Sequence, residues 1–246
     1  MNNKKILIII FIIFNLVVYY KNKNRNKDKN KDDKIFYICS YGGSGSTILT
    51  KYLKHFGKVY HIHSRKPPIN LTYIGNKNHN YIFNKNYKLN TEYKSINNTY
   101  HEHFSNELIP INNLHQYYVI YIYRNPIDAI LSRFDNPNHL LHIQTNENIK
   151  LVNIIKEKKD LYQITQFFDN YNTKNINRNY KIISIKYELL FNNIEKLNKI
   201  LNIKNNPSIY PNRKEKQKNN MFKNELQEIY KNLIHRMEKQ NDLEII

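Results

Sequence analysis

Glycines and hydroxyl side chains alternate in one short stretch between a strand-like run and a helix-like run. The stretch reads Tyr41-Gly42-Gly43-Ser44-Gly45-Ser46-Thr47. A strand that stops at glycines and restarts as a helix points backbone N–H groups at one spot, and the helix dipole adds partial positive charge there. The hydroxyls of Ser44, Ser46 and Thr47 can add further donors. The pattern predicts a seat for an anionic group, and a plain glycine turn of an α/β protein is the alternative.

A second anion-binding pattern follows the strongest strand-like run of the chain, residues 117–123, which is rich in β-branched and aromatic residues. Arg124 comes directly after it, and an Arg at the end of a strand offers a planar, permanently charged fork to a phosphate. Pro126 suits the first position of a helix, and Ser132 on that helix is expected within reach of the same phosphate. For Arg124 taken alone, a surface ion pair is the alternative.

Two histidines close the strand-like run at residues 58–63 and are candidates for a general base. His61 and His63 lie two residues apart, so a strand places them on one face. Since a neutral imidazole near pH 7 suits proton abstraction, we predict His63 as the base and His61 as the second choice. A surface or packing role is the alternative for both. Glu102, which lies between two further histidines, is held in reserve, and that triplet is a poor metal ligand set without a third anchor.

These residues need a framework, and the pattern of the chain supplies one from residue 35 to residue 246. Strands are predicted at residues 35–40, 58–63, 117–123 and 181–185, and helices at residues 47–56, 127–134, 147–171, 187–201 and 221–237. Strands that alternate with helices indicate a parallel sheet covered on both faces. The sequence therefore predicts one α/β domain, a three-layer sandwich with a central, mainly parallel sheet.

The first 34 residues have a different composition. Residues 6–20 form an almost unbroken apolar run, short of the roughly 20 residues that a membrane span needs. We predict that residues 1–20 are an uncleaved signal anchor, with a cleaved signal peptide as the alternative. Residues 21–34 are charged and low in complexity, so they are predicted to be a disordered stalk. More positive charge follows the apolar run than precedes it, and this favours a cytosolic domain.

Bulk composition limits the possible partners. The formal net charge is +19, which suits an anionic ligand. Asn and Lys are abundant even in structureless segments, however, so this charge carries little weight. No nucleic-acid recognition motif is visible, and nucleic acid is not an expected partner. The single cysteine, Cys39, excludes an internal disulfide and is expected to be a buried core residue.

Taken together, three segments resemble one family, the sulfotransferases that use 3′-phosphoadenosine 5′-phosphosulfate. Residues 41–49 resemble the 5′-phosphosulfate loop of that family. Residues 119–134 resemble its 3′-phosphate motif most closely, because the Arg, the Asn-Pro, the Asp-Ala and the Ser eight residues after the Arg all fall in place. Residues 183–190 resemble its later strand-to-helix junction.

The resemblance implies a P-loop-like sulfotransferase fold and a division of labour within the site. It implies that the loop from Gly42 to Thr47 holds the 5′ side of the nucleotide, by residues Gly42, Gly43, Ser44, Gly45, Ser46 and Thr47. It also implies that Arg124 and Ser132 bind the 3′-phosphate. Arg213 and Lys214 weakly resemble a further nucleotide contact of the family, and a solvated basic loop is the alternative there.

One position departs from the family pattern. Gly43 stands where the family has a Lys or Arg that contacts the phosphosulfate. Lys51, Arg65 or Lys66 could supply the missing charge, and the sequence does not distinguish them. A nucleotide-binding pseudoenzyme therefore stays open as an alternative. Another P-loop-like transferase or kinase is disfavoured because no Gly-Lys-Ser/Thr follows the first glycines.

The expected reaction moves a sulfuryl group to a hydroxyl or amine acceptor, with no metal required. Members of the family with membrane anchors imply a carbohydrate acceptor and a single-pass protein of the Golgi or secretory lumen. That location conflicts with the charge flanks of the apolar run. Two glycosylation sequons, at residues 70–72 and 97–99, are expected by chance in so Asn-rich a chain.

Overall fold

The computed structural model describes residues 34–62, 67, 117–134, 149–212 and 221–246. The predicted anchor and almost all of the predicted stalk lie outside these ranges, as do His63, Glu102 and the pair Arg213 and Lys214. Within the described ranges, no helix combines the length and the apolar character needed to cross a membrane.

Within the described ranges, a five-stranded sheet forms the centre of the domain, in the order β2-β1-β3-β4-β5. The strands are β1 (Ile35–Cys39), β2 (Lys58–Ile62), β3 (Tyr117–Tyr123), β4 (Ile182–Lys186) and β5 (Leu243–Ile245). Strands β1 to β4 pair in parallel, and β5 pairs antiparallel with β4. The predicted α/β class and the mainly parallel sheet are confirmed.

The central strand β3 shows why these residues form a sheet. Five consecutive residues, from Val119 to Tyr123, are buried on both faces. Such a run of β-branched and aromatic residues suits a strand that is covered on each side. Strand β3 lies between β1 and β4, with Ile120 paired to Ile38 on one side and to Ile183 on the other.

Six helices are seen in the described ranges. They are α1 (Ser46–Leu53), α2 (Pro126–Phe134), α3 (Leu151–Glu157), α4 (Ile164–Asn172), α5 (Ile194–Ile200) and α6 (Lys223–Lys239). Two short 3₁₀ turns, Tyr187–Leu189 and Pro207–Ile209, precede and follow α5. Helix α6 closes the domain, as the pattern of residues 221–237 predicts.

The described residues form two hydrophobic cores, one on each face of the sheet. Helices α2, α3, α4 and α6 cover the first, which contains Tyr37 of β1 and Tyr121 of β3. Helices α1 and α5 cover the second, which contains Ile38 and Ile122. Alternate residues of one strand therefore serve different cores, and this arrangement is compatible with a three-layer α/β fold.

The prediction of one long helix over residues 147–171 is wrong. The chain forms α3 and α4 instead, and the link between them contains left-handed residues at Lys158 (φ 50°) and Gln163 (φ 55°). Asp160 explains the break, because its carboxylate accepts the N–H groups of Ile164 at 3.1 Å and Thr165 at 2.7 Å. An aspartate that caps the next helix in this way ends the previous one.

The helix predicted over residues 187–201 also proves shorter. The chain makes the 3₁₀ turn Tyr187–Leu189 first, and α5 begins only at Ile194. Strand β5 is absent from the prediction, since three residues are too few for a periodic pattern. It is held in place by pairing, with the N–H of Ile246 donating to the carbonyl of Ile182 at 2.8 Å.

Candidate anion-binding site

The connections of the sheet form a topological switch point at the carboxyl ends of β1 and β3. Helix α1 follows β1 and packs on the face of Ile38, whereas α2 follows β3 and packs on the face of Tyr121. The chain therefore leaves two neighbouring parallel strands in opposite directions. In open α/β sheets, ligands bind at such a switch point.

The glycine loop, residues 40–45, lies on the β1 side of this switch point. Three of its residues adopt left-handed backbone conformations: Gly42 (φ 79°), Gly43 (φ 66°) and Gly45 (φ 76°). The backbone also lies too close to its neighbours for side chains. A Cβ atom on Gly43 would stand 2.4 Å from the carbonyl oxygen of Ala129, and one on Gly45 would stand 2.1 Å from the ring of Tyr187. These glycines are therefore fitted to this site by both conformation and space.

Helix α1 begins at the end of this loop, and its first N–H groups have no acceptor inside the helix. The N–H groups of Ile48 and Leu49 donate to the carbonyl of Gly45 at 2.9 and 3.4 Å, and no side chain caps the helix. The N–H groups of Ser46 and Thr47 come before these first bonds and have no acceptor inside the helix. Together with the helix dipole, they favour an anion at this point.

The hydroxyl groups predicted to bind the anion have different surroundings. Ser44 is fully buried, and its Oγ donates to the carbonyl of Gly42 at 3.2 Å, so it braces the loop. Ser46 is also buried, whereas Thr47 is exposed at the start of α1. Of these three hydroxyl groups, that of Thr47 is thus the most accessible to a ligand.

Arg124 brings a positive charge against the loop from the β3 side. Its Nη1 donates to the carbonyl of Gly43 at 3.3 Å, and its Nη2 lies 3.6 Å from a carboxylate oxygen of Asp128. The guanidinium stands over the ring of Tyr187, 5.0 Å from the ring centroid. Nε is buried and has no hydrogen-bond partner within the described residues. The side chain is 21% exposed and is therefore only partly accessible.

Two side chains from other segments fix the backbone at Arg124 and Asn125. The hydroxyl of Tyr41 accepts the N–H of Arg124 at 2.8 Å and donates to the carbonyl of the same residue. The carboxylate of Glu188 accepts the N–H of Asn125 at 2.9 Å. The side chain of Asn125 in turn accepts the N–H of Ile127 at 3.0 Å and starts helix α2. We call residues 124–125, held in this way, the arginine corner.

Ser132 lies further along α2 and is half-buried. Asp128 and Ser132 are four residues apart, so the helix places them on one face. Asp128 contacts Arg124 from this face. The predicted partners Arg124 and Ser132 therefore lie on the same side of the domain, with Ser132 one further turn along the helix.

His61, the second predicted base, lies on β2 and connects to the loop through Ser40. Its Nε2 is 3.4 Å from the Oγ of Ser40, and that oxygen accepts the N–H of Gly42 at 3.3 Å. A chain of contacts therefore runs from the imidazole to the first glycine of the loop. His63, the first choice, lies outside the described residues, as does Glu102.

Of the three residues that could replace the loop cation of the family, the structure describes Lys51 alone. Lys51 is exposed in the last turn of α1, and Arg65 and Lys66 lie outside the described ranges. Arg124 is the cation seen against Gly43. The sequence reasoning missed the structural roles of Tyr41 and Glu188, although both lie inside segments that it had singled out.

Among the described residues, no group of three His, Cys, Asp or Glu side chains is placed to hold a metal ion.

Comparison of the chain with family models, with curated proteins and with solved structures gave no match. Function must therefore be inferred from the motifs of the sequence and the geometry of the site.

Proposed function

We propose that this protein is a sulfotransferase of P-loop-like fold that uses 3′-phosphoadenosine 5′-phosphosulfate. The acceptor would be a hydroxyl or amine, and a carbohydrate is favoured. One observation carries the proposal: the guanidinium of Arg124 lies against the glycine loop, with Nη1 at 3.3 Å from the carbonyl of Gly43. The two segments that resemble nucleotide motifs are thus neighbours in space although they are far apart in sequence.

The residues present fit a nucleotide that carries phosphate at both ends. The N–H groups at the start of α1 would hold the 5′ group, helped by the hydroxyl of Thr47. Arg124 would hold the 3′-phosphate with Ser132, and its Nε has no competing hydrogen-bond partner in the described part of the chain. Arg213 and Lys214 remain candidates for a further contact.

The proposed reaction is an in-line displacement at sulfur. The acceptor oxygen or nitrogen forms a bond to sulfur while the bond from sulfur to the bridging oxygen of the 5′-phosphate breaks. The acceptor proton passes to a base, for which His63 and His61 are the candidates, and 3′-phosphoadenosine 5′-phosphate leaves. Charge grows on the leaving phosphate oxygens, and preorganised N–H donors with a guanidinium favour that change.

A nucleotide-binding protein without turnover is the second candidate function. The observation that favours it is the packing at Gly43, where a Cβ atom would meet the carbonyl oxygen of Ala129 at 2.4 Å. A Lys or Arg at this position cannot be accommodated by the loop as it is built. Binding of the nucleotide would be retained, while the charge that assists departure of the leaving group would be reduced.

The proposed location is a membrane, through residues 1–20, with the domain in the secretory lumen. The support is the apolar run at residues 6–20, together with the secretory location of the membrane-anchored members of the family that the sequence resembles. A protease-protection assay on sealed microsomes tests the orientation, because a luminal domain resists the protease until detergent is added.

Calorimetric titration of the full chain with 3′-phosphoadenosine 5′-phosphate tests the site. We expect Arg124→Ala to weaken binding about tenfold or more, because a charge-assisted bidentate contact to phosphate is lost. Arg236→Ala is the matched control, since Arg236 on α6 forms an exposed ion pair with Asp169 on α4, and neither residue belongs to the proposed site. Equal affinity of parent and Arg124→Ala would show that the site is misplaced.

A transfer assay with a labelled donor then separates the two candidate functions. Nucleotide binding that depends on Arg124, combined with transfer to a glycan or small hydroxyl acceptor, supports the enzyme. The same binding without transfer to any acceptor in the panel favours the pseudoenzyme. If the parent does not bind the nucleotide at all, both candidates fail.

A further inference from the structure

The backbone N–H groups of the arginine corner are bound by side chains that belong to other segments. Arg124 and Asn125 come after the last residue of β3, where strand pairing has ended. Their backbone N–H groups go to two side chains instead, the hydroxyl of Tyr41 at 2.8 Å and the carboxylate of Glu188 at 2.9 Å. The direction of the guanidinium therefore depends on groups that belong to other segments.

Glu188 supplies a carboxylate acceptor, whereas Tyr41 supplies a neutral hydroxyl. A hydrogen bond to a carboxylate is stronger than one to a neutral hydroxyl. Its Oε1 takes the N–H of Asn125, whereas Oε2 is buried without a hydrogen-bond partner in the ranges that the structure describes. Burial of a carboxylate oxygen without a hydrogen-bond partner is costly.

Tyr187, the residue before Glu188, contacts both Arg124 and the glycine loop through its ring. Its ring lies under the guanidinium of Arg124 at 5.0 Å, and it fills the space next to Gly45. At the junction after β4, Tyr187 therefore contacts the side chain of Arg124, and Glu188 accepts the backbone N–H of Asn125. Movement of this junction would change the position of the guanidinium relative to the loop.

We infer that Glu188 is a positioning residue for the anion site: its carboxylate fixes the arginine corner and so aims Arg124 at the glycine loop. This inference rests on the proposed function, because it assigns Glu188 a part in nucleotide binding. Glu188 itself does not touch the ligand. It acts on affinity through Arg124.

The test compares three variants of the full chain by calorimetric titration with 3′-phosphoadenosine 5′-phosphate. Glu188→Ala removes the acceptor, and we expect about tenfold weaker binding, the size of effect that loss of one charge-assisted hydrogen bond gives. Glu188→Gln keeps an acceptor oxygen and should restore binding to within about threefold of the parent. Glu228→Ala, an exposed change of the same charge on α6, should leave affinity unchanged.

A double-mutant cycle separates positioning from general damage to the fold. In the Arg124→Lys background, where the planar fork is already lost, Glu188→Ala should weaken binding far less than it does in the parent. Melting temperatures of all variants are measured alongside. Equal losses in both backgrounds, or parent-like binding by Glu188→Ala, would overturn the inference while leaving the nucleotide site in place. Absence of binding by the parent would overturn both.

Discussion

Gly43 lies directly against the carbonyl of Ala129: a Cβ atom on the glycine would stand 2.4 Å from that oxygen. The glycine loop and helix α2 are thus in backbone contact, with no side chain between Gly43 and Ala129. This contact brings the N–H groups of the loop close to Arg124. It also excludes from this position the Lys or Arg that the resembling family carries.

Gly43→Lys is therefore expected to damage the site and not to repair it. The substitution imposes a left-handed conformation on a residue with a side chain and pushes against backbone, which together cost about 2 to 4 kcal/mol of folding stability. Urea unfolding measures this loss, and nucleotide titration should show weaker binding. Higher affinity in the variant would mean that the loop rearranges to accept the cation.

The control for that experiment is Gly57→Ala. A Cβ atom on Gly57 would stand 2.3 Å from the carbonyl oxygen of Lys34, at the opposite end of strand β1 from the loop. Stability should fall here as well, because backbone must shift. Nucleotide affinity should not change, and this difference separates damage to the site from damage to the fold.

Asp128 competes with a ligand phosphate for Arg124, from a distance of 3.6 Å and with its side chain 48% exposed. Asp128→Asn should strengthen nucleotide binding by about threefold at low salt, and the gain should shrink as salt is raised. Titrations at two ionic strengths check this. Asp169→Asn, which changes the net charge equally but belongs to the Arg236 ion pair, should have a smaller effect.

The single thiol should be unreactive while the protein is folded. Burial raises the pKa of Cys39 to about 12, and the residue is 3% exposed, so the thiolate is scarce and inaccessible. A thiol reagent at about pH 8 should modify the chain only at the rate at which it unfolds. Fast modification of folded protein would show that β1 opens locally. Addition of urea provides the positive control.

Buried tyrosines should make the protein sensitive to alkali. Burial raises the pKa of several phenols that lie in or next to the first core, above all Tyr121 and Tyr171, and also Tyr37, Tyr123 and Tyr180. These groups keep their protons in the folded state and lose them in the unfolded state above pH of about 10. Below that pH these phenols are protonated in both states, so they do not change the free energy of unfolding. Above it, the free energy of unfolding should fall by about 1.4 kcal/mol per pH unit for each such phenol.

Unfolding curves in urea between about pH 8 and pH 11 measure this slope, with tyrosinate absorbance as the second signal. Tyr121→Phe provides the matched variant, because the Tyr121 hydroxyl is buried without a hydrogen-bond partner in the described ranges. The variant should lose one group from the slope and little stability at neutral pH. An unchanged slope would show that Tyr121 is not the group that titrates.

Much of the framework could be predicted because its signals are local. Strand β3 is a continuous run of β-branched and aromatic residues, and it ends where Arg124-Asn125-Pro126 interrupts it. Gly42, Gly43 and Gly45 predicted a turn, and all three glycines adopt left-handed backbone conformations. The class of the fold and the place of the loop follow from such patterns.

The parts that escaped prediction depend on contacts between distant segments. The break between α3 and α4 uses left-handed Lys158 and Gln163, which give no glycine signal. It is held by Asp160, which also accepts the hydroxyl of Tyr230 on α6 at 2.7 Å. The roles of Tyr41 and Glu188 likewise exist only once β1, β3 and β4 are side by side, and no local pattern announces them.

Sequence separation within the arginine corner has a kinetic consequence. The Tyr41–Arg124 bond joins residues 83 positions apart, and the Glu188–Asn125 bond joins residues 63 positions apart. Closing such long loops costs entropy, so we expect these contacts to form after the local contacts of the nearby helices. During refolding, helical structure should therefore return before the ability to capture ligand. Recovery of binding is the event that reports the completed central sheet.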